Sequence, residues 1–457
     1  MKKRLQIFAA GCLTLLSTIQ MNAQLTATAQ IRTRSEYRQG QGTLMSGKAV
    51  PAFFISERTR FNVGYTGYRF KVFASIQDAR VWGQDASTNN RTTNEVFNGL
   101  MMNEAWGEII LNDTAPKSKI QNLSLKIGRQ EISYDDQKLL GGLDWLQQGR
   151  RHDAAVLRFA DKTWMADLGV AYNQNKELNA DAGYVGVPAP ANYTAGTNAI
   201  GTMYKSMQYL YVGKKFFFGN ASFLCFKDDF SKYTKTLAGA TNYGAGVWSR
   251  YTTGVYLDAT IKRKLNIIAS YYHQGGQDKD GVNMSAEMAS VTTSMQLGRK
   301  LFVGPGFDYL SGDNGTRANS VNSRFDPLYG TPHKFWGYMD YFYVASGFGK
   351  QGLVDLFFKI KYNAKDNLTF LLDVHGFETA NKVSDGKGGT RNPYLGTEID
   401  FIVRYNLTKL INIEAGYSMM QATTTMSSAQ VKNVANANLN ANWAYLQVVF
   451  KPNLLAK

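Results

Sequence analysis

Apolar and polar positions alternate along most of the chain, and helical periodicity is scarce. In Asn122–Gln130, Leu123, Leu125 and Ile127 fall on one face and Ser124, Lys126 and Gly128 on the other. Asn367–Phe377 sets Leu368, Phe370, Leu372 and Val374 against Thr369, Asp373 and His375. Thr397–Tyr405 and Lys409–Met419 repeat the pattern, with Glu398, Asp400, Arg404, Asn412 and Glu414 on their polar faces. Such a period of two predicts strands with two different faces.

The connections between these segments alternate between short and long. Tight turns are expected at Thr66-Gly67, Asp161-Lys162, Arg263-Lys264, Arg299-Lys300, Lys365-Asp366 and Thr408-Lys409. Long Asn/Gly/Thr-rich loops are expected around 83–100, 133–152, 175–205, 231–246, 312–350, 379–394 and 422–440. Short turns at one end and long loops at the other predict an antiparallel transmembrane β-barrel.

The expected strands are 24–38, 52–66, 68–82, 101–111, 122–132, 153–160, 163–174, 206–215, 218–229, 247–262, 265–276, 284–298, 301–311, 352–362, 366–378, 395–406, 410–421 and 441–450. That is eighteen, an even number with both termini on the short-turn side. Lys334–Val344 also alternates but is read as loop, because one more strand would make the number odd. The final segment, Trp443 to Phe450, resembles the closing strand of outer-membrane barrels, although Lys451–Lys457 follows it. A soluble all-β sandwich or β-helix is the alternative, and no 20–50-residue repeat of the solenoid kind is present.

The first residues read as an address rather than a fold. Lys2, Lys3 and Arg4 precede an apolar stretch from Leu5 to Leu16, and the segment ends at Met21-Asn22-Ala23. This predicts a signal peptide over 1–23, cleaved after Ala23, with a single barrel over 24–457. Lipidation at Cys12 is a weaker alternative. Cleavage would leave Cys225 as the one cysteine, too few for a disulfide framework or a thiolate metal site. Export and strand pattern together place the chain in the outer membrane of a diderm bacterium.

Candidate chemistry is thin. His152, His273, His333 and His375 have no partner at metal-ligand spacing, and no Gly-x-Ser-x-Gly elbow is present. Asp278-x-Asp280-Gly281 with Glu287 is read as a polar β-turn rather than a calcium loop, and Gly304-Pro305-Gly306 as a bend. Glu104, Glu108 and Asp355 with Lys359 and Lys361 are read as cross-strand ion pairs rather than a glycosidase pair. No catalytic residue, metal or cofactor is expected, and no nucleic-acid partner.

Arginine is the informative residue. Arg32, Arg34, Glu36 and Arg38 share one parity; Arg58 and Arg60 share a face with Asn62 and Gly64. Arg129, Arg150, Arg151 and Arg158 surround the 133–152 loop, and Arg404 lies on a polar face. Arginine facing lipid costs about 2–4 kcal/mol at mid-membrane, so these side chains are expected to face the lumen and favour anions. They could instead neutralise Glu36, Glu57, Glu104 and Glu108. The formal charge is +16, and loss of the three cations of the leader leaves +13. Part of that excess could sit at the rims against lipid headgroups.

The run from Leu125 to Asp153, with Gly128-Arg129-Gln130-Glu131, Tyr134-Asp135-Asp136, Gly141-Gly142-Leu143-Asp144-Trp145 and Gly149-Arg150-Arg151-His152-Asp153, closely resembles the alginate-export family of outer-membrane porins. The run Phe325-Asp326-Pro327 to Gly337-Tyr338-Met339-Asp340 is similar to the same family. The resemblance implies an eighteen-stranded barrel whose arginine-lined, anion-selective lumen passes an acidic polysaccharide. It implies Arg129, Arg150 and Arg151 as lumen residues and Asp135, Asp136 and Asp144, with His152 and Asp153, as partners that fix an inserted loop.

The leading expectation is a passive, anion-preferring channel for uronate-type oligo- or polysaccharide, contacting outer-membrane lipid and serving periplasmic export or uptake partners. The alternatives are a general porin for small solutes and a barrel or soluble carbohydrate-active enzyme.

Overall fold

In the computed structural model, residues 24–84, 99–112, 120–173, 204–237, 239, 241–313, 321–342 and 350–455 are described. The expected leader, 1–23, and residues 175–203 of the loop expected at 175–205 lie outside them.

Eighteen strands form one closed sheet. They are β1 (Gln24–Gln39), β2 (Ala52–Gly67), β3 (Phe70–Val81), β4 (Met101–Ile110), β5 (Asn122–Gln130), β6 (His152–Ala160), β7 (Trp164–Tyr172), β8 (Ser206–Phe216) and β9 (Gly219–Lys235). Then come β10 (Thr241–Ile261), β11 (Leu265–Gln277), β12 (Asn283–Leu297), β13 (Leu301–Leu310), β14 (Leu353–Lys365), β15 (Leu368–Glu378), β16 (Tyr394–Asn406), β17 (Ile411–Ala422) and β18 (Asn440–Phe450). Each pairs antiparallel with the next, and β18 closes on β1 from Ile31↔Phe450 to Gln39↔Asn442. Closure satisfies every edge inside the membrane, which an open sheet cannot do.

Alternation sorts the side chains. Ile31, Phe61, Val72, Ile127, Leu168, Val255, Phe358 and Tyr417 are exposed on the outside, where lipid lies. Residues of the opposite parity, including Arg32, Arg58, Arg250, Asp308, Asp355 and Glu398, are buried inside. The β12–β13 ladder leaves Thr293 and Ser294 unpaired opposite Pro305 and Gly304, where proline has no N–H to give.

The structure lengthens one hairpin. Residues 231–246, expected as a loop, instead continue β9 to Lys235 and start β10 at Thr241, with a register shift between Tyr243 and Val247. Asn and Gly there lower strand propensity, but Thr and Tyr favour it, and the ladder forms because the two strands are already paired below it. Lys334–Phe342 is irregular after a short 3-10 turn, as expected.

Candidate functional site

The lumen is built on a basic wall. On β1 and β2, Arg32 stands opposite Arg58, Gln30 opposite Arg60 and Arg34 opposite Ser56, all with inward parity. Segment 131–151, between β5 and β6, folds onto this wall. Arg32 donates to the Gln147 Oε1 at 2.9 Å and the Asp144 carbonyl at 2.6 Å, and pairs with Asp144 Oδ2 at 3.3 Å. Arg58 pairs with Asp144 Oδ1 at 2.8 Å. Arg34 donates to Glu36 at 2.9 Å and the Trp145 carbonyl at 2.8 Å, with its guanidinium carbon 3.9 Å above the Trp145 ring. Arg38 holds the other oxygen of Glu36 at 2.8 Å. Arg60 differs: its partners are the amide oxygens of Gln77 at 2.7 Å and Asn103 at 3.4 Å. Gln77 also donates to the Gln148 carbonyl at 2.7 Å.

The same segment crosses to other walls. Tyr134 donates to Asp167 at 2.6 Å and stacks on Tyr211 at 4.2 Å. Arg158 forks onto Asp167 at 2.8 and 2.6 Å. Tyr211 and Ser222 donate to Asp135 at 2.8 and 2.9 Å. Lys138 reaches Asp308 at 2.9 Å and Ser290 at 2.6 Å on β12 and β13, and all three are buried. Beside the segment, Trp106, Glu108, Lys126, Tyr134 and Arg158 line a cavity of about 260 Å³. Within it the Lys126 ammonium sits 3.9 Å from the Trp106 ring.

A second segment, 321–342, enters from between β13 and β14 and grips the first. Gly141 N–H donates to the Tyr329 carbonyl at 3.0 Å, Tyr329 N–H to Leu139 at 2.9 Å, and Thr331 N–H to Gln137 at 2.8 Å. Arg150 donates to the Gly330 carbonyl. Gly330 is required there, since a Cβ would meet the Lys138 carbonyl. Gly337 takes φ 82° with the Glu398 carboxylate where a Cβ would point. Glu398 accepts from Met339 N–H at 2.7 Å, and Tyr329 donates to Asp228 at 2.8 Å. Asp326 is held by Arg250 at 2.7 Å, and Arg250 is also paired with Asp228. In the loop between β17 and β18, Lys432 donates to the Tyr341 carbonyl, and burial pushes its ammonium down to about 8.

The expected site residues separate into groups. Arg32, Arg34 and Arg58 face inward but are covered by segment 131–151, Arg58 being 0% exposed. Arg60 and Arg158 are only partly covered, and Arg404, paired with Glu414 at 2.6 Å, is exposed nearer the short-turn end. Asp135 and Asp144 fix the inserted segment. Asp136 caps Lys138 N–H at 3.0 Å, and His152 contacts Tyr204 at 2.7 Å.

Arg129 is a correction. It shares the parity of Leu125 and Ile127, so it points outward, where it forms a two-pronged pair with Asp153 at 2.9 Å. Asp153 therefore fixes Arg129 and not the loop. Arg150 is buried between the two segments rather than lining the lumen, and Arg151 donates to the Gln148 carbonyl at 3.2 Å within its own segment. Arg250 and Lys138 escaped the sequence reading, which placed Lys126 on a polar face and Lys359 in a cross-strand ion pair without assigning either to the lumen. Parity would have found Arg250, which shares a face with Thr252 and Tyr256. Nothing local marks Lys138, whose partners lie 152 and 170 positions away. Asp278 accepts from Asp280 and Val282 N–H, which closes the polar turn.

The charge excess is also not where the arginines are. Between residues 24 and 457 the strands hold 20 basic and 18 acidic residues, and the long connections 16 and 14. The short turns, with 111–121 and 451–457, hold 12 basic and only 3 acidic. Among the described residues these short connections carry 9 basic and 2 acidic residues, an excess of +7 at the short-turn rim.

Comparisons agree with this architecture. The alginate export family model matches residues 23–174. No curated protein sequence matches significantly. Among solved structures, the chain is similar to Acinetobacter baumannii OccAB4, with a TM-score of 0.60 at 11% identity over 95% of this chain and 99% of that one. It is similar to Pseudomonas aeruginosa OpdO at 0.59 and 11%, covering 94% and 98%, and to OpdK with vanillate at 0.54 and 12%, covering 93% and 98%. At such identities the likeness is one of fold. The closed eighteen-stranded sheet and its apolar outer face identify the chain as an outer-membrane β-barrel, and its first third is similar to the alginate export family.

Proposed function

We propose that this porin is a passive channel that prefers anions and passes uronate-type oligosaccharide or polysaccharide. The basic wall on β1 and β2 carries the reading: five guanidinium groups (Arg32, Arg34, Arg38, Arg58, Arg60) form ion pairs with only two carboxylates, Glu36 and Asp144, while Glu104 and Glu131 act on Arg60 from a greater distance. Arg60 donates only to amide oxygens and forms no ion pair, so part of its charge is left to act on whatever passes. A guanidinium offers paired N–H donors to a planar carboxylate, and its field favours anions along a narrow, low-dielectric path. The family match and the vanillate in the OpdK structure, itself a carboxylate, lend support.

A second reading, a porin for small solutes, is favoured by the two interlocked segments that narrow the lumen. Reversal potentials across planar bilayers under a salt gradient test the first reading, and cation preference would overturn it. Liposome swelling separates the two: equal entry of neutral and anionic sugars favours the second.

A further inference from the structure

The periplasmic rim combines charge with exposed apolar surface. Lys262, Arg263 and Lys264 form one turn, and Arg299 and Lys300 the next. Among the described residues, none of Lys262, Arg263, Lys264 and Arg299 makes an ion pair. The backbone is strained to present some of them. Arg69, Lys262 and Arg263 take φ of 61°, 49° and 56°, positions that tight hairpins usually give to Gly or Asn. On other short turns of the same rim stand Phe217, fully exposed, Tyr68 at 70%, Leu407 and Leu410. Lys214 lies 4.1 Å over the Trp164 ring.

We propose that this rim binds anionic phospholipid headgroups of the inner leaflet of the outer membrane. Cations would take the phosphates while the neighbouring rings and leucines enter the acyl boundary. An acidic protein or soluble polyanion would match the charge but leave Phe217 and Tyr68 in water. The collar lies outside the lumen, so the inference is independent of which solute passes.

The test is native mass spectrometry of the mature barrel from micelles holding equimolar phosphatidylglycerol and phosphatidylcholine. The expected result is about a fivefold excess of retained phosphatidylglycerol, since each cation near an anionic surface contributes on that scale. In the variant K262Q/R263Q/K264Q/R299Q/K300Q the excess should vanish while heat-modifiable migration stays unchanged. If that variant does not fold, R299Q/K300Q should still reduce the excess. Equal retention of both lipids by the wild type, or an undiminished excess in a folded variant, overturns the proposal. Binding of an acidic polysaccharide to these residues without any lipid preference overturns it too and assigns the rim to the polymer.

Discussion

The indole of Trp145 and the imidazole of His333 stack 3.9 Å apart and 9° from parallel, although they belong to different inserted segments. Trp145 also meets Trp443 and Tyr445 edge-on, at 5.7 and 5.1 Å, and so ties both segments to β18. Each such aromatic contact contributes about 0.5–1.5 kcal/mol beyond its buried area. Trp145→Ala should therefore loosen the interlock. Single-channel recording should show a larger and noisier conductance, with the barrel still folded.

Selectivity should depend on Arg60 and not on Arg129. Arg60→Gln removes a charge without a carboxylate partner and leaves the Asp144 contacts in place. The anion-to-cation permeability ratio should fall about two- to fivefold, the scale of one unit charge acting at close range through water. Arg129→Ala removes an outward pair with Asp153 and should leave reversal potentials unchanged.

Lys138 and Asp308 form a buried pair that anchors segment 131–151 to the far wall. Removing one partner strands the other charge, at a cost of about 3–5 kcal/mol. Lys138→Met should make the segment sensitive to protease added from outside. Lys138→Met with Asp308→Leu should recover much of the resistance, because both charges are then gone.

Cys225 is exposed on the outer face of β9, in the strand's lower half. In intact membranes it should resist a charged thiol reagent, and in detergent it should still react with a small apolar maleimide. Rapid labelling by the charged reagent in membranes would contradict the assigned parity.

The barrel was legible because a two-sided wall imposes its period on every strand. Leu368 and Asp373, or Ile399 and Glu398, declare their faces one residue at a time. Parity also held the key to Arg129, where proximity to Arg150 and Arg151 in sequence misled. The inserted segments were not legible in detail, because Lys138 with Asp308 and Trp145 with His333 are meetings of distant residues that leave no local pattern. Net charge misled for a related reason: a sum over the chain carries no address until the turns are located.

The seam between β1 and β18 has a consequence for biogenesis. Its partners, such as Ile31 and Phe450, are separated by nearly the whole chain, and Leu454 N–H adds a bond to the Ala27 carbonyl. The first strand to leave the ribosome is thus completed by almost the last, and until then it presents a raw ladder to any passing strand. Assembly must wait for synthesis to finish, with the growing chain kept apart from its neighbours. A chain cut short before residue 440 would yield not a narrower pore but an adhesive sheet.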